Sequence, residues 1–208
     1  METIVSGIKK KWTTATWVSD SANKPLRPRV TETNIYDDVN GNGTYQAGVD
    51  NRKRTTIDYI TIATQSPLTQ SVKVPSQVNE FAADATTVLR YSQTDYMNDP
   101  TYNLRRIIGL PTEQRLYDGS NVLQSKVGYL YDSTIYLPHT SIPSQHDNTI
   151  YNDGFYTRGN LTNVLRYDVT GSAYTETQTD YYVTGNPSAT RDVLNHETKI
   201  TYADAFTT

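Results

Sequence analysis

Asn163-Val-Leu-Arg-Tyr167-Asp168-Val-Thr-Gly171-Ser-Ala-Tyr174-Thr-Glu-Thr-Gln-Thr-Asp180-Tyr181 decides the fold. Its first half is a short strand, Asn163–Tyr167, that stops at an aspartate. Asp168-Val-Thr-Gly171-Ser172 is turn chemistry, because Asp and Gly tolerate the positive φ that tight reversals demand. Its second half alternates, with three threonines on one side and Glu176, Gln178 and Asp180 on the other. With almost no apolar residue, that strand is expected to meet solvent on at least one side. The segment is thus one β-hairpin, opened by Tyr167 and closed by Tyr181 at a spacing of 14 residues.

The same spacing recurs. Tyr117 and Tyr131 are 14 apart, with Asp118-Gly119-Ser120-Asn121 as the turn; Tyr96 to Tyr117 and Tyr181 to Tyr202 are each 21. Asp95, Asp118, Asp132, Asp168 and Asp180 sit beside these tyrosines. One dipeptide at recurrent spacing implies one supersecondary unit used repeatedly. The 21-residue intervals are expected to carry a longer connection, through Gly109-Leu-Pro111 in one and Gly185-Asn-Pro187 in the other. Alternation predicts further strands at Lys10–Val18, Arg29–Tyr36, Thr56–Ile62, Thr87–Tyr96, Thr112–Tyr117, Val127–Tyr131 and Glu197–Tyr202. No helix is predicted; Phe81-Ala-Ala-Asp-Ala85 suffices for one turn at most. Asp37–Asn51 and Ser133–Gly154 read as loops longer than ordinary connections of about 2–6 residues, the places where binding usually resides.

Composition supports this reading. The 208 residues include 17 tyrosines but only 3 phenylalanines and 2 methionines, and aromatic and β-branched side chains suit a pleated, half-wet surface. With 36% hydrophobic residues the core is expected to be thin, one layer under a sheet. A net charge of −3 with scattered basic residues argues against nucleic acid, and Lys9-Lys-Lys11 beside Trp12 is too short to recruit nucleic acid or a membrane. No apolar run reaches the length of a membrane-spanning helix, so no membrane insertion is expected. Zero cysteines exclude disulfides, thiolate metal sites and a cysteine nucleophile. Met1–Trp12 lacks the long apolar stretch of a secretory leader, and with strand-like sequence from the start the chain reads as an interior piece of a longer protein.

Several phrases carry a family resemblance. Arg158-Gly-Asn-Leu-Thr-Asn-Val-Leu-Arg-Tyr-Asp168 resembles the repeat core of the RHS (rearrangement hot spot) or YD-repeat family: Gly-x-Leu-Thr, a short strand, then Tyr-Asp. Tyr181-Tyr-Val-Thr-Gly-Asn186 is similar to its Tyr-Asp-x-x-Gly-Asn phrase, with Tyr182 in place of the aspartate. Asp192-Val-Leu-Asn-His-Glu-Thr198 is similar to its Asp-x-x-Gly-x-x-Thr phrase, with Asn195 for glycine, and Gln114-Arg-Leu-Tyr-Asp-Gly-Ser120 is a further copy. The resemblance covers roughly 87–208 well; 1–86 reads as divergent repeats, where Tyr36-Asp37 and Asp58-Tyr59 remain.

The resemblance implies an all-β fold, with antiparallel hairpin repeats forming a large curved sheet that is part of an RHS-like shell. It implies a structural, non-enzymatic role in a secreted or cell-surface protein. The partners would be the remaining repeats of the parent chain and an enclosed C-terminal toxin or other effector. The alternative is a binding module whose aromatic side chains contact a glycan or a protein.

Candidate chemistry is sparse. Asp38-Val-Asn40-Gly-Asn42-Gly43-Thr44-Tyr-Gln46-Ala-Gly48-Val-Asp50 places oxygen side chains at alternate positions around glycine, as a Ca²⁺ loop requires. It is similar to Asp-x-Asn-x-Asn-Gly calcium loops, with Asp38, Asn40, Asn42, Thr44 and Asp50 as ligands. The twelfth position is Val49, so the bidentate acid is displaced to Asp50 and the affinity is expected to be weak; the competing reading is a Gly/Asn hairpin loop. His139, His146 and His196 have no ligand spacing, and no Gly-x-Ser-x-Gly elbow is present. No catalytic residue and no cofactor other than this calcium is expected.

A sheet cut on both sides leaves two bare edges, which seek further strands. The 208-residue chain alone is therefore expected to dimerise or aggregate in light scattering; a stable, monodisperse monomer would contradict that.

Overall fold

The computed structural model describes residues 2–5, 8–19, 28–62, 72–133, 147, 149–152 and 154–202. His139, His146 and most of the 133–154 loop lie outside these described residues. Among the described residues the protein is all-β apart from one short helix. Its strands are β1 (Glu2–Val5), β2 (Ile8–Val18), β3 (Arg29–Asp37), β4 (Asn51–Ile62), β5 (Val72–Phe81), β6 (Val88–Tyr96), β7 (Pro111–Asp118), β8 (Leu123–Tyr131), β9 (Leu161–Tyr167), β10 (Tyr174–Tyr181), β11 (Pro187–Arg191) and β12 (Glu197–Lys199). Strand order in the sheet is the chain order, β1 to β12. The chain divides into two compact units. One comprises Met1–Ile60, Lys73–Thr94 and Arg115–Gln124; the other comprises Thr61–Val72, Asp95–Gln114 and Ser125–Thr208.

The expected hairpins form. Tyr167 on β9 faces Tyr174 on β10 in antiparallel register, their rings 5.4 Å apart. Three reversals share one geometry. The backbone N–H of Asn121 donates to the Asp118 carbonyl, that of Gly171 to Asp168, and that of Asn195 to Asp192, at 2.9–3.1 Å. Asn121, Gly171 and Asn195 all have φ between 64° and 71°. A type I turn followed by one left-handed residue matches the right-handed twist of the flanking strands. The aspartate that opens each reversal holds it, since its carboxylate accepts N–H groups two and four residues on. Asp118 Oδ1 takes Ser120 and Val122. Asp168 Oδ1 takes Thr170 and Ser172, and Asp192 Oδ1 takes Leu194 and His196. The Tyr-Asp dipeptide is thus a strand end joined to a turn lock. At Tyr182–Asn186, where tyrosine replaces the aspartate, the same backbone bonds form around Gly185 without a carboxylate.

The two 21-residue intervals differ in structure, although they match in length. Between Tyr96 and Tyr117 lies a helix, α1 (Pro100–Leu104), capped by Asp99, whose side chain accepts the Thr101 N–H at 2.7 Å. Asp at the cap and Pro at the first position are ordinary start signals, although the sequence reading predicts no helix. Between Tyr181 and Tyr202 lie two further strands, β11 and β12. The missed strand β5 runs through Pro75 to Phe81, and Ala82–Ala85 makes its turn into β6, not a helix.

Among the described residues the buried apolar side chains are Ile62, Ala85, Leu165, Val183 and Ala189, whereas nine polar or charged residues are buried. The interior is therefore held as much by hydrogen bonds as by apolar contact. On β10 the acidic face is the covered one: Asp180 is 3% exposed and pairs with Arg191 at 2.8 Å, and Glu176 accepts from Asn163. The thin apolar layer also raises the importance of backbone fit. At Gly119 an added Cβ would collide with the Val88 carbonyl oxygen on β6 and meet the Leu89 carbonyl at 3.3 Å. Gly119→Ala is expected to destabilise the chain by about 1–3 kcal/mol, as overpacking against backbone does; an unchanged urea midpoint would show that this approach is not tight.

Candidate functional site

Two places bring chemistry-bearing side chains together, one in each unit. The first is the loop from Asp38 to Asp50, which joins β3 to β4. Asp38 and Asp50 are 6% and 5% exposed, so both carboxylates need partners. They find them in the loop's own backbone. Asp38 Oδ1 accepts from Gly41 N at 2.6 Å, and its Oδ2 from Gly43 N at 2.8 Å. Asp50 Oδ1 accepts from Val39 N at 2.9 Å and Asn40 N at 3.4 Å, and its Oδ2 from Gln46 N at 2.8 Å. Asn40 Oδ1 takes Asn42 N, Asn42 Oδ1 takes both the N–H and the hydroxyl of Thr44, and Gln46 Oε1 takes the Asn40 amide.

Every oxygen assigned to calcium by the sequence is therefore near the others but already accepts at least one N–H or O–H, except the Thr44 hydroxyl, which donates. Asp38 stays ionised: burial works against its charge, but the Gly43 and Gly41 N–H bonds and the nearby Lys10 ammonium outweigh that and lower its pKa. A cation here would share these lone pairs with the turn rather than enter an open cage. Among the described residues no group of three His, Cys, Asp or Glu is arranged to hold a metal ion.

The second place is built around Asp132, the aspartate of the Tyr131-Asp132 pair. It adopts φ 50° and opens no tight turn. Its buried carboxylate instead receives three successive backbone N–H groups, from Arg158 (2.8 Å), Gly159 (2.6 Å) and Asn160 (2.9 Å), and the Tyr102 hydroxyl of α1 at 2.8 Å. Burial, and then Asp132, push the Tyr102 phenol far above its usual pKa, so it remains a donor. This carboxylate ties the return of the chain into β9 to both β8 and α1. With four donors on it, Asp132 has no capacity as a general base.

Beyond that lock lies an open cleft of about 500 Å³, lined by Arg105, Ile107, Tyr151, Phe155, Arg158 and Asn160 among others. Arg158 is half-buried. Its guanidinium donates to the carbonyls of Phe155, Tyr151, Asn152 and Val183. Burial lowers its pKa and the Arg105 charge acts in the same direction, while Asp132 opposes them. The Arg105 guanidinium lies 3.5 Å from the centre of the Phe155 ring, and that of Arg158 lies 5.2 Å from it. Sequence reading noted Arg158 only as part of a repeat phrase and missed Arg105, Phe155 and Asn160. These residues meet only when the chain closes over α1, and no local periodicity marks such a meeting.

His196, the one histidine among the described residues, sits in the turn before β12 with its Nδ1 2.9 Å from Asp192 Oδ2. Both side chains are largely exposed, and no nucleophile is placed beside them. The pair belongs to the turn lock.

No protein-family model matches the chain, and no curated protein matches it significantly.

Removing the Asp50 carboxylate would orphan three part-buried N–H groups. Asp50→Ala is therefore expected to cost about 1–3 kcal/mol in urea unfolding, equally with Ca²⁺ and with a chelator. A loss seen only in the presence of Ca²⁺ would assign Asp50 to a cation instead.

Proposed function

We propose that this chain is a structural, non-catalytic β-repeat segment of a bacterial RHS-like secreted or surface protein, forming part of the wall of a shell that encloses a toxin or other effector. The observation that carries the reading is the strand order: hairpins follow one another in chain order, and β1 and β12 each have a single neighbour in the sheet. Such an array extends by adding the next hairpin to an open edge, and it reaches any length without a new core. The carboxylates support the same reading. Asp118, Asp168 and Asp192 hold turns, Asp132 and Asp180 hold strands to their neighbours, and none faces a second acid or a nucleophile across a pocket.

A wall segment needs stiffness and continuity, and the turn locks with the aromatic pairs supply them. Trp12 stacks on Tyr36 at 5.2 Å, and Tyr91 stacks on Tyr117 at 4.9 Å. Electron microscopy of the protein in its natural length is expected to show a hollow particle with this sheet in its wall. A solid globule would overturn the proposal. Saturable glycan binding that disappears when the exposed Tyr174 and Tyr202 become alanine would favour the binding-module reading instead.

A further inference from the structure

We infer that the Arg105–Phe155–Asn160 cleft is a binding site for the carboxylate of a small organic acid. The inference is independent of the wall proposal, since it concerns one pocket within the second unit. Three observations carry it.

The first is an imbalance of charge. Arg105 and Arg158 flank the same aromatic ring, and neither makes an ion pair among the described residues. Asp132, whose charge reaches Arg158, turns its oxygens to backbone N–H groups and to Tyr102. Two guanidinium groups on one ring, with no ion pair among the described residues, attract an anion.

The second is the division of labour between the two arginines. Arg158 is saturated by four carbonyls and acts as a fixed positive wall. Among the described residues the Arg105 side chain makes one hydrogen bond, to the Thr157 carbonyl at 3.3 Å, and the residue is exposed. Phe155 holds its plane at 3.5 Å, leaving most of its N–H groups unused. A planar guanidinium held against an aromatic ring with its N–H edge open is organised in advance for a two-oxygen acceptor.

The third is Asn160. Its side-chain Nδ2 is buried in the cleft lining and has no acceptor. That N–H is covered in the empty cleft, so an incoming oxygen meets it once the Asn160 side chain turns outward, and the turn ends its lack of an acceptor. Both residues line the cleft, and a carboxylate has lone pairs enough to accept from Arg105 and, once its side chain turns, from Asn160. The volume and lining describe the rest of the ligand. About 500 Å³ exceeds what a bare anion fills and lies within the range of ligand pockets, roughly 300–1,000 Å³. Ile107, Tyr151 and Phe155 offer apolar flanks, and at Gly185 a Cβ would meet nothing within 4 Å, so the mouth is open. The ligand is a carboxylate on a compact body, either a free small acid or the uronic-acid unit of an acidic polysaccharide.

The test is a titration of the 208-residue chain with glucuronate, acetate, glucose and inorganic phosphate, followed by NMR at the Asn160 side-chain amide. Glucuronate is expected to bind saturably in the millimolar range and to shift that amide, while glucose leaves it unmoved. Equal binding of acetate would identify a bare-carboxylate site; tighter glucuronate would identify the acidic sugar. Arg105→Gln, an exposed change that leaves the fold intact by thermal melting, is expected to weaken glucuronate at least about tenfold, or about 1.4 kcal/mol. Arg105→Lys keeps the charge without the fork and is expected to fall in between, and Asn160→Asp is expected to abolish binding by like charge. Saturation by phosphate or glucose without the carboxylates, no saturation by any probe, or unchanged affinity in Arg105→Gln would each overturn the inference.

Discussion

The bond from an aspartate carboxylate to backbone N–H groups two and four residues ahead is the constraint on which this protein depends. A sheet whose strands follow chain order reverses direction at every step, and each reversal exposes N–H groups that no strand can pair. The chain answers with an ionised acceptor at the point where the strand stops. Hydrogen bonds to ionised acceptors are stronger than neutral ones, and these also favour the charged form of the acid. At Asp168 the Thr170 hydroxyl leads in lowering the pKa, and at Asp192 the His196 N–H does. At Asp84, in the turn between β5 and β6, the Thr87 hydroxyl and the Thr86 and Thr87 N–H groups bring it to about 2.

Such locks compensate for a thin interior. With few apolar side chains fully buried, the sheet relies on polar pairs within its faces. Asp180 with Arg191 and Glu197 makes one such network in the second unit, and Glu113 with Lys126 another, at 3.0 Å. In the first unit Glu32 holds Arg54 at 2.8 Å, and Arg54 also reaches the Ala85 carbonyl. Pairs on a sheet surface are individually weak, and it is their repetition at several strand boundaries that adds up. The tyrosines fit the same scheme: the ring packs across strands while the hydroxyl finds a carbonyl, as Tyr181 does at Leu161 and Tyr182 at Ile200.

Asp132 shows how one residue type serves two ends. Its neighbour is a strand-closing tyrosine, as at Asp118 and Asp168, yet it gathers N–H groups from a stretch 26–28 residues away instead of from its own turn. The interval from Tyr131 to Tyr167 is longer than the hairpin spacing, and the N–H groups that Asp132 gathers belong to the return into β9. The same chemistry that locks a tight turn here clamps a long excursion. A consequence is the adjoining cleft, whose arginines and amide are carried by the clamped segment and by the end of α1.

The alternation of Tyr174–Tyr181, the Asp-to-Gly or Asp-to-Asn turns and the 14-residue hairpins were legible in the amino-acid order, because strand period and turn conformation are local properties of a few adjacent residues. Equal spacing was a poor guide to equal structure in the 21-residue intervals, where Asp99-Pro100 starts a helix in one and Pro187 opens a strand in the other. Tertiary structure alone decided which carboxylates face backbone and which face arginine. It also decided that Arg105 and Phe155, 50 residues apart in the chain, share one cleft. Contacts of that range depend on which residues distant in the chain come side by side, and no pattern of neighbouring residues encodes that.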